Sequence, residues 1–221
     1  AYYNAGEFGL SELETCGHEE EIEMNEKTRT HNEQKIGINK HKLQKGDEKI
    51  EEKVNKHRIK AVSYTRNTVA EYIQEFKKHG VICMPTVGAL KHAIKSEELG
   101  ADALVIQGSE GGGHTGSTPT TLLLSSVLQK VNIPVIAAGG FRDGSGLAAA
   151  LAWGADGIAM GTRFMMTQES PVPSQTKESY ISAGIDDIKI TKKFDGLPHR
   201  LIFNDYIKKI DHSNPFTLLW I

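Results

Sequence analysis

The chain has 221 residues, of which 24% are charged and 38% hydrophobic, and a formal net charge of -2 at pH 7. These fractions belong to a folded globular protein, and the near-neutral balance gives no electrostatic reason to expect nucleic acid or an anionic membrane as partner. Two cysteines, Cys16 and Cys83, without CxxC spacing or a clustered His/Cys set point to neither a disulfide framework nor a metal site.

The opening residues lack a basic stretch with an apolar core, and no run is long and apolar enough to span a bilayer, so a cytoplasmic protein acting on a small molecule is expected. Residues 11–60 are dense in Glu, Lys, His and Asn, whereas 81–167 are rich in Val, Ile, Ala and Gly, which places the packed core in the second stretch. Two short strands, 8–10 and 35–39, are expected early, separated by a charged, solvated helix.

From residue 58 a short apolar run alternates with a helical pattern. Residues 58–63 read as a strand, 68–79 as a helix with Thr68 at its N-cap, and Gly80 as its stop. Residues 81–87 are the next strand, 89–99 the next helix, and Gly100 the next stop. A strand at 103–107 runs into a glycine loop and then a helix at 120–131. The strand 135–138 precedes a helix at 145–153 that Gly154 ends, and the strand 157–160 closes the series.

Unbroken Val/Ile/Ala/Leu strands, each followed by a helix, are what a parallel sheet buried on both faces requires. The count is seven strands, an α/β chain of the barrel or the doubly wound kind.

Three of the later strands end in glycine: Gly108-Ser109-Glu110-Gly111-Gly112-Gly113-His114, Gly139-Gly140-Phe141-Arg142-Asp143-Gly144 and Gly161-Thr162-Arg163. In a (β/α)8 barrel these loops share the C-terminal rim and converge on one ligand. Backbone without Cβ atoms approaches a phosphate closely, so Gly139-Gly140 with Gly161-Thr162 reads as a phosphate clamp, against the plainer reading of tight βα turns. His114 follows a glycine run that cannot bury it in an apolar core; it suits proton abstraction or substrate anchoring, or is one surface histidine among nine. Gln107 closes its strand toward the same rim, where its amide could meet a flavin edge or simply satisfy the strand end. No GxGxxG opens a helix after an early strand, which disfavours a Rossmann dinucleotide site.

In this order and spacing, Val105 to Gly116, Ile133 to Gly140 and Met160 to Phe164 resemble the nitronate monooxygenase (2-nitropropane dioxygenase) family, related to flavin-dependent enoyl-ACP reductases. The resemblance is strongest over 58–210. It implies an FMN-dependent (β/α)8 TIM-barrel-type fold, with residues 1–167 forming the barrel portion and 168–221 a helical substrate-side segment. It further implies that Gly139, Gly140, Gly161 and Thr162 hold the FMN phosphate, that Asn39 and Gln107 lie along the ribityl chain or ring, and that Gly112 and Gly113 also contact the cofactor. His114 matches the family's active-site histidine.

The activity so implied is oxidation of alkyl nitronates by dioxygen. The alternatives are NAD(P)H-dependent reduction of enoyl thioesters or quinones, and an inactive barrel fragment. Gln107 ahead of the loop glycine and the segment Thr167 to Pro173 lean toward the nitronate branch. A small-molecule substrate with dioxygen is the expected partner set, and a homodimer is compatible with it. The family's first strand would precede Ala1, both ends are expected to be cut, and Thr86 stands where some relatives carry a lysine.

Overall fold

The computed structural model describes residues 10–12, 36–40, 59–65, 70–193 and 196–212. Strands β1 (Leu10–Glu12), β2 (Ile36–Lys40), β3 (Ile59–Tyr64) and β4 (Ile82–Cys83) form one parallel ladder in that order. Strands β5 (Thr86–Val87), β6 (Leu104–Gln107), β8 (Val135–Ala138) and β9 (Gly157–Ala159) form the second. β4 and β5 are one run of chain interrupted at Met84-Pro85, where proline removes a ladder donor. The two ladders stay joined across it, because Met84 N–H donates to Val62 O at 2.8 Å and Val105 N–H donates to Pro85 O at 3.0 Å. The parallel order is therefore that of the chain itself, which is the pattern of a TIM-barrel-type α/β fold.

Helices α1 (Ala70–Lys78), α2 (Leu90–Glu98), α3 (Thr120–Leu128) and α4 (Gly144–Ala152) connect these strands. Gly80, Gly100 and Gly154 follow α1, α2 and α4 with φ of 68°, 92° and 99°, the left-handed turn that glycine supplies at a helix stop. The alternation of side chains along each strand separates two apolar layers. Leu104 and Ile106 of β6, Val135 and Ala137 of β8, and Leu123, Leu124 and Val127 of α3 form the layer between sheet and helices. Val62 and Tyr64 of β3 pack on Ile73 and Phe76 of α1 in the same manner.

The opposite face is smaller in side-chain volume, with three alanines, Ala61, Ala103 and Ala138, buried together with Met84 and Val105. Each fully buried Leu, Ile or Val contributes about 1.5–3 kcal/mol relative to exposure, so the helix-facing layer supplies most of the apolar stabilisation and leaves the inner face free to be small.

Beyond β9 come the short α5 (Thr162–Met165), α6 (Ser174–Ser182), β10 (Ile188–Thr191), β11 (His199–Ile202) and α7 (Asp205–His212). In this stretch two strands lie between the helices α6 and α7. β10 and β11 form an antiparallel hairpin, and β11 pairs in turn with β7 (Gly113–His114), which the sequence reading took as loop. The charged helix expected between the first two strands, the N-cap Thr68 and Cys16 lie outside the described residues. Among the described residues no helix is long and apolar enough to cross a membrane.

Candidate active site

β6, β8 and β9 end level with one another, since Gln107 pairs in register with Ala138 and Ala138 with Ala159. The loops that follow therefore leave from one end of the sheet. They touch: Gly108 N–H donates to Ala138 O at 3.2 Å, a Cβ on Gly139 would stand 2.7 Å from Gly111 N, and one on Gly112 would stand 3.9 Å from Thr162 Oγ1. Gly112, Gly139, Gly140, Gly161 and Thr162 are thus brought together.

Glycine is required here for two separate reasons. Gly139 and Gly140 hold φ of +100° and +84°, where a side chain is strained. Gly108 has no room for one, because its Cβ would lie 2.2–2.4 Å from Thr120. Thr120 opens α3, and its N–H and Oγ1 donate to the Glu110 carboxylate at 2.8 and 2.7 Å. Partial burial pushes the Glu110 carboxyl up, but the hydrogen bonds from Thr120 Oγ1 and N–H outweigh it and hold it below the usual glutamate range. With Thr120 Oγ1 also 3.2 Å from Gly139 O, Glu110 and Thr120 bind the first glycine loop to the second.

Among the described residues none accepts from the N–H of Gly140, Gly161 or Thr162, and a Cβ on Gly161 would meet nothing within 4 Å. Open space bordered by backbone donors suits a phosphate. The start of α4 is different, because its own Asp143 fills it: the carboxylate accepts from Ser145 Oγ at 2.5 Å, Ser145 N at 3.1 Å and Gly146 N at 3.2 Å. The bond from Ser145 Oγ, followed by the Gly146 N–H, lowers the Asp143 carboxyl to about 2. An anion is therefore better received by the two glycine pairs than by that helix end.

His114 sits half-buried in β7 rather than on a free loop. From within, Gln107 Nε2 donates to His114 O at 2.9 Å and lies 3.4 Å from Gly112 O. From the rim, His114 pairs in register with His199 of β11, and Thr115 N–H donates to Pro198 O at 3.0 Å. The two imidazoles lie 3.6 Å apart between centroids with planes inclined by 48°.

Gly113 adopts φ +72°, which turns the chain into β7. The backbone of Asn39 falls in β2, in register with Ser63. Ser63 is buried, and its Oγ lies 2.9 Å from Thr86 Oγ1, so Thr86 is one of a pair of hydroxyls in contact between β3 and β5. Reasoning from sequence missed Glu110, Thr120 and His199. The signal for His199 was present: two short alternating runs, 188–191 and 199–202, flank a Gly196 turn, as in a hairpin.

A parallel βα sheet whose C-terminal loops bring glycine backbone donors together at one end is the architecture of a TIM-barrel-type enzyme. The family model described as Nitronate monooxygenase matches residues 12–220, and the chain belongs to that family of oxidoreductases.

It is 44% identical over 211 residues to the (3aS,4S,5R,7aS)-5-hydroxy-7a-methyl-1-oxo-octahydro-1H-indene-4-carboxyl-CoA dehydrogenase of Rhodococcus jostii (strain RHA1), covering 95% of this chain and 60% of the relative. It is 34% identical over 165 residues to a probable nitronate monooxygenase of Staphylococcus saprophyticus, covering 69% of this chain and 46% of the relative. The structure of FabK from Thermotoga maritima superposes with a TM-score of 0.87 at 31% identity, over 98% of this chain and 70% of that one. The chain thus spans less than two thirds of the length of these two curated relatives.

Proposed function

We propose that this chain carries the FMN-binding rim of an oxidoreductase whose substrate is a CoA thioester with a carbinol or carbonyl carbon to be oxidised or reduced. The observation that carries the proposal is the glycine rim, where the N–H groups of Gly140, Gly161 and Thr162 have no acceptor among the described residues, at the sheet end from which the loop leading to His114 also leaves. That cradle fits FMN: Gly139, Gly140, Gly161 and Thr162 would hold the phosphate, and Asn39, Gln107, Gly112 and Gly113 would line the rest. Bound FMN would supply the two-electron acceptor or donor.

His114 would take the proton from the substrate hydroxyl oxygen during oxidation and return it during reduction, a contribution of about 10²–10⁴-fold for a positioned general acid–base group. Residues 168–221 would form the substrate side of the site, because β11 delivers His199 against His114. The thioester class is supported by the 44% identity to a carboxyl-CoA dehydrogenase over 95% of the chain.

Oxidation of alkyl nitronates by dioxygen is the second reading, supported by the family match and by the 34% identity to a probable nitronate monooxygenase. Anaerobic mixing of the FMN-loaded protein with an alicyclic hydroxy-carboxyl-CoA, with an alkyl nitronate, or with NADH separates them. Bleaching of the flavin by the hydroxyacyl-CoA, or reoxidation by the oxoacyl-CoA after NADH reduction, supports the first reading. Bleaching by the nitronate alone supports the second and overturns the first.

A further inference from the structure

We infer that Lys189, held over the ring of Phe203, anchors the phosphates of a nucleotide-bearing ligand, the CoA arm of the proposed thioester, on the face of the small sheet that carries His114. The inference rests on that reading of the substrate, but the placement on which it stands is a matter of register. Residues directly opposite one another in an antiparallel pair share a face, and faces alternate along each strand. His114 pairs with His199, His199 with Thr191, and Leu201 with Lys189, so these five side chains stand on one face. Ile188, Ile190, Arg200 and Ile202 take the other. Among the paired residues of this ladder, it is therefore Lys189 that brings a permanent cation to the His114 side.

Lys189 is exposed, and its Nζ lies 4.6 Å from the centroid of the Phe203 ring. That contact limits the rotamers of a long side chain before any ligand arrives. It leaves the charge in place, because no carboxylate of the described residues pairs with Lys189. Asp187 accepts from Gly184 N–H at 2.8 Å, and Asp205 from Lys208 at 2.9 Å. An ammonium that is aimed and lacks a counter-ion suits a phosphate, which lysine meets as a point charge.

β10 is two strands from β7, about 10 Å across the ladder, and Lys189 lies roughly 7 Å along β10 from Thr191, the residue opposite His199. The step is too long for a group on the carbon that His114 would serve, and it suits a group at the end of an arm. In a CoA thioester the pantetheine arm puts two amides and several methylenes between the acyl carbon and the diphosphate. Leu201, beside Lys189, and the Phe203 ring are half-buried and give those methylenes apolar surface. The diphosphate of NADH carries the same chemistry as that of CoA, and the test tells the two apart.

The test is isothermal titration of the full chain, in excess FMN, with CoA, with pantetheine, which lacks every phosphate, and with NADH. Lys189→Met should weaken CoA binding by about tenfold or more, the loss of one charge-assisted hydrogen bond, and leave pantetheine unchanged. Lys189→Arg should keep most of the affinity. Added salt should weaken CoA binding to the unsubstituted chain more than to Lys189→Met.

Equal CoA affinity in the unsubstituted chain and Lys189→Met, or CoA and pantetheine weakened alike, overturns the inference and leaves the thioester reading standing. NADH bound and weakened by Lys189→Met, with CoA unbound, keeps the phosphate site and overturns the thioester reading. Binding of neither overturns the inference.

Discussion

Gln107 Nε2 donates to the carbonyl of His114 at 2.9 Å, so the side chain at the end of one barrel strand holds the backbone of the residue seven positions on. The same amide lies 3.4 Å from Gly112 O, and a Cβ on Gly111 would collide with it at 2.6 Å. The glycine loop is folded over Gln107 as over a post. In this reading the glutamine's first duty is to fix β7, and whatever it offers a ligand comes from what remains of its hydrogen-bonding capacity.

Replacing Gln107 with Ala should remove about 0.5–1.5 kcal/mol of stability, the usual net worth of one hydrogen bond. Its effect on turnover should be larger, tenfold or more, because ångström-scale displacement of a catalytic group costs about that much or more. Gln107→Glu should be worse than Gln107→Ala, since an ionised carboxylate presents only acceptors to two carbonyls. Urea midpoints and anaerobic flavin-reduction rates check both expectations.

Gly108 and Gly161 should separate packing from binding. Gly108→Ala drives a Cβ to within 2.2–2.4 Å of Thr120 and should destabilise by about 3 kcal/mol or more, beyond ordinary overpacking because backbone atoms must move. Gly161 has φ of -94° and nothing within 4 Å of its Cβ position, so Gly161→Ala should fold normally and weaken FMN alone. Thermal midpoints paired with FMN dissociation constants read the contrast, and equal loss of stability in the two variants would refute it.

Glu110 makes the rim acid-sensitive. Its folded carboxyl is held below the ordinary glutamate value of 4.5, so its contribution to stability is fully present above that value and is lost as pH falls through the lower folded value. Asp143 contributes in the same direction over a lower window, between 3.8 and about 2. In Glu110→Gln, stability should depend less steeply on pH below the glutamate value than in the unsubstituted chain. Urea midpoints from pH 3 to pH 7 measure the difference, and superimposable profiles would show that Glu110 is not the group involved.

The layers of this fold were legible because βα periodicity is a local property. Leu104 and Ile106 facing the helices, Gly100 and Gly154 stopping them, and the even ends of β6, β8 and β9 all follow from patterns a few residues long. The strand 135–138 is found where the sequence puts it, and the other described elements shift by a few residues at their ends. β7 was not legible, because Gly113-His114 has no strand propensity of its own and is a strand only through β11, 85 residues later in register. His199 was hidden for the same reason. Glu110 reads as a loop acid until the fold brings α3's first N–H groups to it.

The most direct test of the central claim is the visible spectrum of the 221-residue chain and of Gly161→Val, each mixed with FMN and desalted. The account predicts flavin bands retained by the unsubstituted chain and lost from Gly161→Val, with both folded by circular dichroism. Flavin absent from the former, or held equally by both, would contradict the assignment of the cofactor phosphate to the glycine rim.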